Sequence, residues 1–282
     1  MSYVRLPFIK AVAAGNDFIF FAQGILQSQR IDHAELRAMT PLICRRHVGI
    51  GADGVIVLND FRAPAGRVSW YFLNADGSEA EMCGNAARCV ASVLASRGEF
   101  RSPVVLETKV GWVELSAHGQ DFAVAMPPVT VVQWPLALDL NGKQREEISS
   151  MSWLNTGVPH MVIQLKNRPE IASWRPLAAE LRRHPHFGPE GANVTLTWGT
   201  ESRGIFAITF ERGVEDFTLA CGTGAVAAAY NLARQKDDLG QVDVEMPGGL
   251  LRVEFSNELS TAKLIGAAAV VFEGNYLRRT NG

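Results

Sequence analysis

Two runs in this chain are almost wholly small and apolar, and each follows a cysteine–glycine pair. The first is Cys83-Gly84-Asn85-Ala86-Ala87-Arg88, continuing through Cys89, Val90, Ala91, Val93, Leu94 and Ala95 to Ser96. The second is Cys221-Gly222-Thr223-Gly224-Ala225-Val226, continuing through Ala227, Ala228 and Ala229 to Arg234. A helix that is apolar on most sides has to be covered on most sides. Two such helices require two wrappings, and the strand-like segments around them provide sheet. Similar elements recur in each half, so the chain reads as an internal duplication. The expected fold class is α/β (α+β): two pseudo-symmetric lobes, each a mixed β-sheet rolled around a central helix, with the helix N-termini facing one cleft. The first lobe is expected over residues 1–127, completed by 268–282, and the second over 128–267.

Taken in order, Phe8–Val12 and Phe18–Phe21 read as a hairpin turning through Ala14–Asp17, with Asn16 as a turn residue by spacing. Asp32 reads as the N-cap of a helix running to Cys44, with Leu36, Met39 and Ile43 on one face. Gly49, Gly51 and Gly54 fit the pattern G-x-G-x-x-G, but they follow a helix and open a strand, Val55–Leu58. A dinucleotide fingerprint does the reverse, which excludes nicotinamide and flavin binding here. Further strands are expected at Val68–Leu73, Val104–Glu107, Gly111–Ser116, Asp121–Met126, Met161–Leu165, Val194–Trp198 and Ile205–Glu211. The spacing also predicts a short helix near Pro176–Arg183, and a last strand, Ala267–Leu277, returning to the first lobe.

Composition narrows the function. Twenty-nine acidic against 27 basic residues leave a net charge of −2, which carries no electrostatic footprint for nucleic acid or an anionic membrane. No apolar run approaches the ~20 residues of a membrane-spanning helix. Asn16-Asp17 interrupts the apolar stretch behind Arg5 and Lys10, so the N-terminus does not read as a signal peptide. Four cysteines in 282 residues make no disulfide framework, and no C-x-x-C occurs. A reducing, cytoplasmic setting is expected, with no metal site and no thioredoxin-like redox motif.

The chemistry lies in the cysteines. A helix N-terminus presents free backbone N–H groups and a partial positive charge, which favour a thiolate and can hold a carboxylate. With a substrate carbon between Cys83 and Cys221, a thiolate on one face removes a proton while a thiol on the other delivers one. This two-base inversion of a stereocentre needs no metal and no pyridoxal cofactor. The amides of Gly84/Asn85 and Gly222/Thr223 are placed to stabilise charge developing on the substrate carboxylate. Cys44 and Cys89 lack such a setting and read as core. Two readings of other classes stand beside this one. A non-catalytic anion cradle explains the glycines but not the paired cysteines; a thiol redox pair lacks the usual C-x-x-C.

The motifs Gly15-Asn16-Asp17-Phe18, Gly49-Ile50-Gly51-Ala52-Asp53, Asn74-Ala75-Asp76-Gly77-Ser78, Met82-Cys83-Gly84-Asn85-Ala86-Ala87-Arg88, Pro159-His160, Glu211-Arg212-Gly213 and Ala220-Cys221-Gly222-Thr223-Gly224 span most of the chain. In kind and order they resemble the diaminopimelate epimerases, cofactor-independent epimerases of lysine and cell-wall precursor synthesis. The resemblance implies that Cys83 and Cys221 are the two bases, that His160 and Glu211 lie near the thiols, and that Gly84-Asn85 and Gly222-Thr223 hold the reacting carboxylate. It implies a substrate-binding role for Asn16, Asn74, Asn193, Glu211 and Arg212, the last two at the distal end, and a homodimer. Two positions depart from the common family pattern: Val158 stands where many members have asparagine, and Gly54 where many have glutamine. An epimerase or racemase of the same fold acting on histidine, proline or hydroxyproline is the alternative, although proline-racemase relatives carry histidine where this chain has Asn85.

Overall fold

The computed structural model describes residues 3–140, 144–199, 204–236, 240–256 and 261–279. The chain forms two compact units, Met1–Val124 with Gly266–Gly282, and Ala125–Ile265.

The first unit contains β1 (Tyr3–Ala13), β2 (Asn16–Ala22), α1 (Gln23–Ser28), α2 (His33–Cys44), β3 (Gly54–Leu58), β4 (Arg67–Asn74), α3 (Gly84–Ser96), β5 (Val104–Thr108), β6 (Gly111–His118) and β7, which starts at Asp121 and runs to Met126. The C-terminal strand, Ala269–Arg279, lies antiparallel to the outer side of β1. From that strand inward the pairings run antiparallel to β1, antiparallel to β2, parallel to β3, antiparallel to β4, parallel to β5, then antiparallel to β6 and β7. The β1–β2 turn has two residues, Ala14 (φ 47°) and Gly15 (φ 83°), both left-handed, the geometry that matches strand twist in a tight hairpin. Asn16 is therefore not a turn residue: it opens β2 opposite Ala13, with its side chain free to act elsewhere.

Both faces of this sheet are covered. Leu36 and Ile43 of α2 pack with Ile19, Phe21, Val55 and Val57, as the helical periodicity predicts, and Asp32 caps the helix by accepting from the Glu35 N–H at 2.8 Å. On the other side α3, buried from Gly84 through Leu94, packs against β1, β2, β6 and the C-terminal strand. Covered on two sides, β3 is buried at all five positions, and its sequence is correspondingly apolar throughout.

The second unit contains β8 (Thr130–Gln133), α4 (Gln144–Glu147), β9 (Ile148–Asn155), β10 (Pro159–Leu165), α5 (Ile171–Arg182), β11 (Asn193–Gly199), β12 (Gly204–Glu211), β13 (Asp216–Phe217), α6 (Gly222–Lys236), β14 (Gln241–Met246), β15 (Gly249–Phe255) and β16 (Ala262–Gly266); the C-terminal strand is β17. From β8 the pairings run antiparallel to β9, antiparallel to β10, parallel to β11, antiparallel to β12, parallel to β14, then antiparallel to β15 and β16. This is the same succession as in the first unit. The first parallel step in each unit is bridged by an outer helix, α2 or α5. The second is bridged by the buried Ala-rich helix, α3 or α6. The duplication is thus built into the hydrogen-bond pattern.

Helix α6 is buried over Gly224–Asn231 and packs against β9 to β12, β14 and β15. Helix α5 sets Trp174, Ala178 and Leu181 against Met161, Ile163, Val194 and Leu196. It begins at Ile171, earlier than the expected start near Pro176, with Glu170 as its N-cap. Apolar residues at helical spacing, Ile171, Trp174, Ala178 and Leu181, bind this stretch to the sheet and outweigh the cost of a proline inside the helix. Among the described residues no helix is long and apolar enough to cross a membrane.

Candidate active site

In the first unit, Cys83 ends an extended segment (φ −146°, ψ 123°), and its carbonyl accepts the Ala87 N–H at 2.9 Å. It is the N-cap of α3, with its thiol partly buried. The next residues carry the polar part of the site. Asn85 is 1% exposed; its Nδ2 donates to Asn16 Oδ1 at 2.6 Å, and its Oδ1 accepts from Arg88 Nη2 at 2.6 Å. Asn16 Nδ2 in turn donates to Asp53 Oδ2 at 3.0 Å. Asp53 is braced by Asp17: each carboxylate accepts the other residue's backbone N–H at 3.1 Å. Arg46 bridges the two carboxylates, and Lys10 lies 2.9 Å from Asp17. Burial alone would raise the Asp17 pKa, but hydrogen bonds from Arg46 and Lys10 hold it below the usual value. Asn74 stands apart from this chain of bonds, exposed at the end of β4 with its amide donating to Ser78 Oγ at 3.0 Å.

In the second unit, Cys221 is buried, and its carbonyl accepts the Ala225 N–H at 2.8 Å. This is the same cap position as Cys83. Its neighbours differ. Burial pushes the Cys221 thiol up, and the Glu211 carboxylate beside it pushes further, against hydrogen bonds from Thr223 and the Gly224 N–H. Glu211 is itself raised by burial, with Thr218 donating to Oε1 at 2.7 Å. His160 is fully buried: Nδ1 lies 2.9 Å from Thr195 Oγ1, and Nε2 lies 2.9 Å from Thr223 Oγ1 and 3.3 Å from Asn193 Nδ2. Desolvation, then the charge of Arg212, pull its pKa down to about 3, so the ring is neutral. The Arg212 backbone N–H donates to Asn193 Oδ1 at 2.7 Å, which turns Asn193 Nδ2 toward the imidazole. Nε2 is then the acceptor and Nδ1 carries the proton. With Thr223 also facing Nε2, the Cys221 Sγ, 3.4 Å from Thr223 Oγ1, completes a line from thiol to hydroxyl to imidazole. Gly222 and Thr223 open α6. A Cβ at Gly224 would press on Thr209 Oγ1 and lie 3.3 Å from Cys221 Cβ, so glycine there permits the close approach. The Arg212 guanidinium pairs with Glu190 at 2.8 Å, a glutamate that is mostly in solvent.

Among the sequence-predicted residues, the structure joins Asn16 with Asn85, and His160, Asn193, Glu211, Cys221 and Thr223 with one another. Gly84 lies at the first position of α3. Several site neighbours escaped sequence reasoning. Asp53, Arg46 and Lys10 fix Asn16; Asp53 lay inside a glycine-rich motif whose role was not evident from its spacing. Thr195 and Thr209, fully buried and 3.1 Å apart at Oγ1, support His160. A polar residue at alternate positions of an otherwise apolar strand is the only local signal they leave. Cys44 and Cys89 are core residues as expected, and burial pushes the Cys44 thiol up to about 12. No disulfide joins the four cysteines, and no cluster of potential metal ligands occurs among the described residues.

Comparison with known proteins identifies the family. The sequence model of diaminopimelate epimerase matches residues 8–132 and 152–271. The chain is 32% identical to the diaminopimelate epimerase of Aquifex aeolicus, over 95% of this chain and 97% of the relative. It is 35% identical to that of Methanothrix thermoacetophila, over 96% and 95%. Among solved structures, a phenazine biosynthesis PhzF-family protein from Enterococcus faecalis superposes with a TM-score of 0.70 at 11% identity, covering 96% of this chain and 99% of that one. A hydroxyproline epimerase from Agrobacterium vitis superposes with a TM-score of 0.65 at 14% identity, covering 97% and 92%. The family match over both units, and relatives of this identity over nearly full length, make this chain an amino-acid epimerase and a member of the diaminopimelate epimerase family.

Proposed function

We propose that this protein interconverts LL- and meso-diaminopimelate without a cofactor, using Cys83 and Cys221 as a two-base pair, in lysine and cell-wall precursor synthesis. The observation that carries the reading is the recurrence, in each unit, of a cysteine at the N-cap of a buried helix. The first amides of each helix are oriented toward the cap, where charge on a carboxylate would develop during proton removal. One thiolate takes the α-proton and the opposite thiol returns one, so that each turnover exchanges the roles of the pair. His160 and Glu211 set the state of Cys221, with His160 as a neutral acceptor at the end of the hydroxyl line. Asn16 and Asn85 each keep a second amide hydrogen for the substrate. Asn193 and Arg212 lie together in the second unit. Arg212 suits the distal carboxylate, since a guanidinium grips a carboxylate bidentately and its surface pair with Glu190 is easily exchanged. Glu211 and Asn74 complete the binding set that the resemblance implies.

The test is to incubate reduced protein with LL-diaminopimelate in D2O and to follow deuterium at the α-carbon together with product stereochemistry. Exchange and formation of the meso isomer are expected. Exchange with histidine, proline or hydroxyproline but not with diaminopimelate would replace this substrate by that of the alternative. The same reading carries a homodimer in the cytoplasm. Exposed Val271, Phe272 and Leu277 on β17 offer apolar side chains for contact with a second copy, and sedimentation of the purified protein decides it.

A further inference from the structure

The Arg88 side chain is wholly buried, and two of its nitrogens, Nε and Nη1, have no hydrogen-bond partner among the described residues. The remaining contact is Nη2 to Asn85 Oδ1 at 2.6 Å. A buried cation with open donors is costly unless an anion stands near it. Side chains on a helix lean toward its N-terminus, so the guanidinium runs back from the second turn of α3 to the helix start, where Asn85 and Cys83 lie. Burial pulls the Arg88 pKa down, and the acidic groups whose charge opposes this are Cys89, Cys83 and Asp121. Cys89 is fully buried, and burial pushes its thiol far up, so it stays neutral.

The other charged groups on the strands around α3 are engaged or in solvent. Lys10 and Asp17 pair with each other, and Asp17 with Arg46. Arg278 pairs with Glu35, while Arg5, Glu114, Glu273 and Arg279 face solvent and His118 is half-buried. In the second unit the residue five places after the cysteine is Val226, buried and apolar, and the charged neighbour of Cys221 is Glu211.

A guanidinium has donors only, so it can face Asn85 through Oδ1 alone, and a carboxylate has acceptors only, so Asp53 can face Asn16 through Nδ2 alone. The two amides are thereby locked from both ends, by a cation and an anion.

We propose that Arg88 is a positioning residue of the first half-site, holding the Asn85 amide in one orientation and biasing Cys83 toward thiolate at neutral pH, so that Cys83 rests as the base and Cys221 as the acid. This rests on the proposed function only in taking the two thiols as reactive. A positive neighbour stabilises a thiolate, and burial beside a carboxylate stabilises a thiol.

The experiment is alkylation by iodoacetamide as a function of pH, read separately at Cys83 and Cys221 by peptide mass spectrometry, with no substrate present. In the wild-type protein the Cys83 midpoint should lie at least one pH unit below that of Cys221; equal midpoints overturn the proposal, whatever the variants do. In Arg88→Met, close in size but uncharged, the Cys83 midpoint should rise by about one unit, roughly tenfold slower reaction at pH 7, with Cys221 unmoved. Arg88→Lys should restore most of the shift. A folded Arg88→Met protein with an unchanged Cys83 midpoint overturns the proposal, since a merely structural arginine would alter melting and not this titration. The readout needs no diaminopimelate, so failure of the substrate assignment and failure of the Arg88 assignment are seen separately.

Discussion

At the start of α3 the Cys83 thiol has a buried guanidinium behind it, whereas at the start of α6 the Cys221 thiol has a half-buried carboxylate and a neutral imidazole. The two units share their strand pairings, their helix positions and the cysteine caps. They differ in the side chains around the caps: Arg88, Asn85 and Asn16 in one, Glu211, His160 and Thr223 in the other. Duplication supplied the part that a backbone can supply, which is a helix N-terminus capped by a cysteine in each unit. A coupled pair of thiols can share one proton whatever its symmetry; unequal surroundings bias which thiol holds it. The side chains introduce that difference.

The comparison can be broken at the thiols first. Cys83→Ala and Cys221→Ala should each lower turnover of LL-diaminopimelate by on the order of 10²- to 10⁴-fold, the range of positioned acid–base groups. A variant retaining a tenth of wild-type turnover would remove its cysteine from the pair. Next in size is Glu211→Gln. The carboxylate raises the Cys221 pKa after burial has done so, so its loss should lower the Cys221 alkylation midpoint, leave Cys83 where it was, and cut turnover by about 10- to 100-fold. A Cys221 midpoint that stays put would deny Glu211 its electrostatic part.

Smaller effects fall on stability. Gly224 corresponds, three places after its cysteine, to Ala86 in the first unit, which is fully buried. Gly224→Ala should cost about 1–3 kcal/mol, because the new methyl meets Thr209, and should lower the melting temperature by several degrees. An unchanged melt would show that the two helices have equal room. The last prediction concerns pH. His160 has a folded pKa near 3 against about 6.5 in an unfolded chain, so below pH 6.5 the unfolded chain takes up a proton that the fold refuses. Its contribution is complete above pH 6.5 and declines as pH falls toward 3, with a slope of up to about 1.4 kcal/mol per pH unit. His160→Gln should flatten that part of the melting-temperature profile, measured between pH 4 and 7; an unaltered slope would contradict a buried neutral ring.

Much of the architecture was legible because it depends on local pattern. Continuous small apolar residues after Cys83 and Cys221 require buried helices, and alternating or fully apolar runs bounded by glycine and proline mark the strands. Asp32 signalled its helix start by a side chain that can cap and little else. The misplacements are of one physical kind. Asn16 has turn chemistry, yet Ala14 and Gly15 make the turn, because the pairing of Ala13 with Asn16 leaves no other residues for it. Pro176 signals a helix start, yet packing of Ile171 and Trp174 carries α5 through it. In the first case strand pairing, and in the second long-range packing, decided between local options.

By itself the sequence determined that two buried helices begin at cysteine–glycine pairs, and the motif order named the family. Periodicity and residue chemistry are properties of neighbours along the chain, so they can be read there. Tertiary structure decided which charge each thiol meets: Glu211, expected near the thiols, lies beside Cys221, while Asp53 stands at one end of the asparagine chain and Arg88 closes the other. Arg88 in particular looks along the sequence like a residue in solvent, and only the sheet wrapped around α3 makes it a buried cation. The effect of a charge depends on the dielectric around it and on the distance to its partner, and folding sets both.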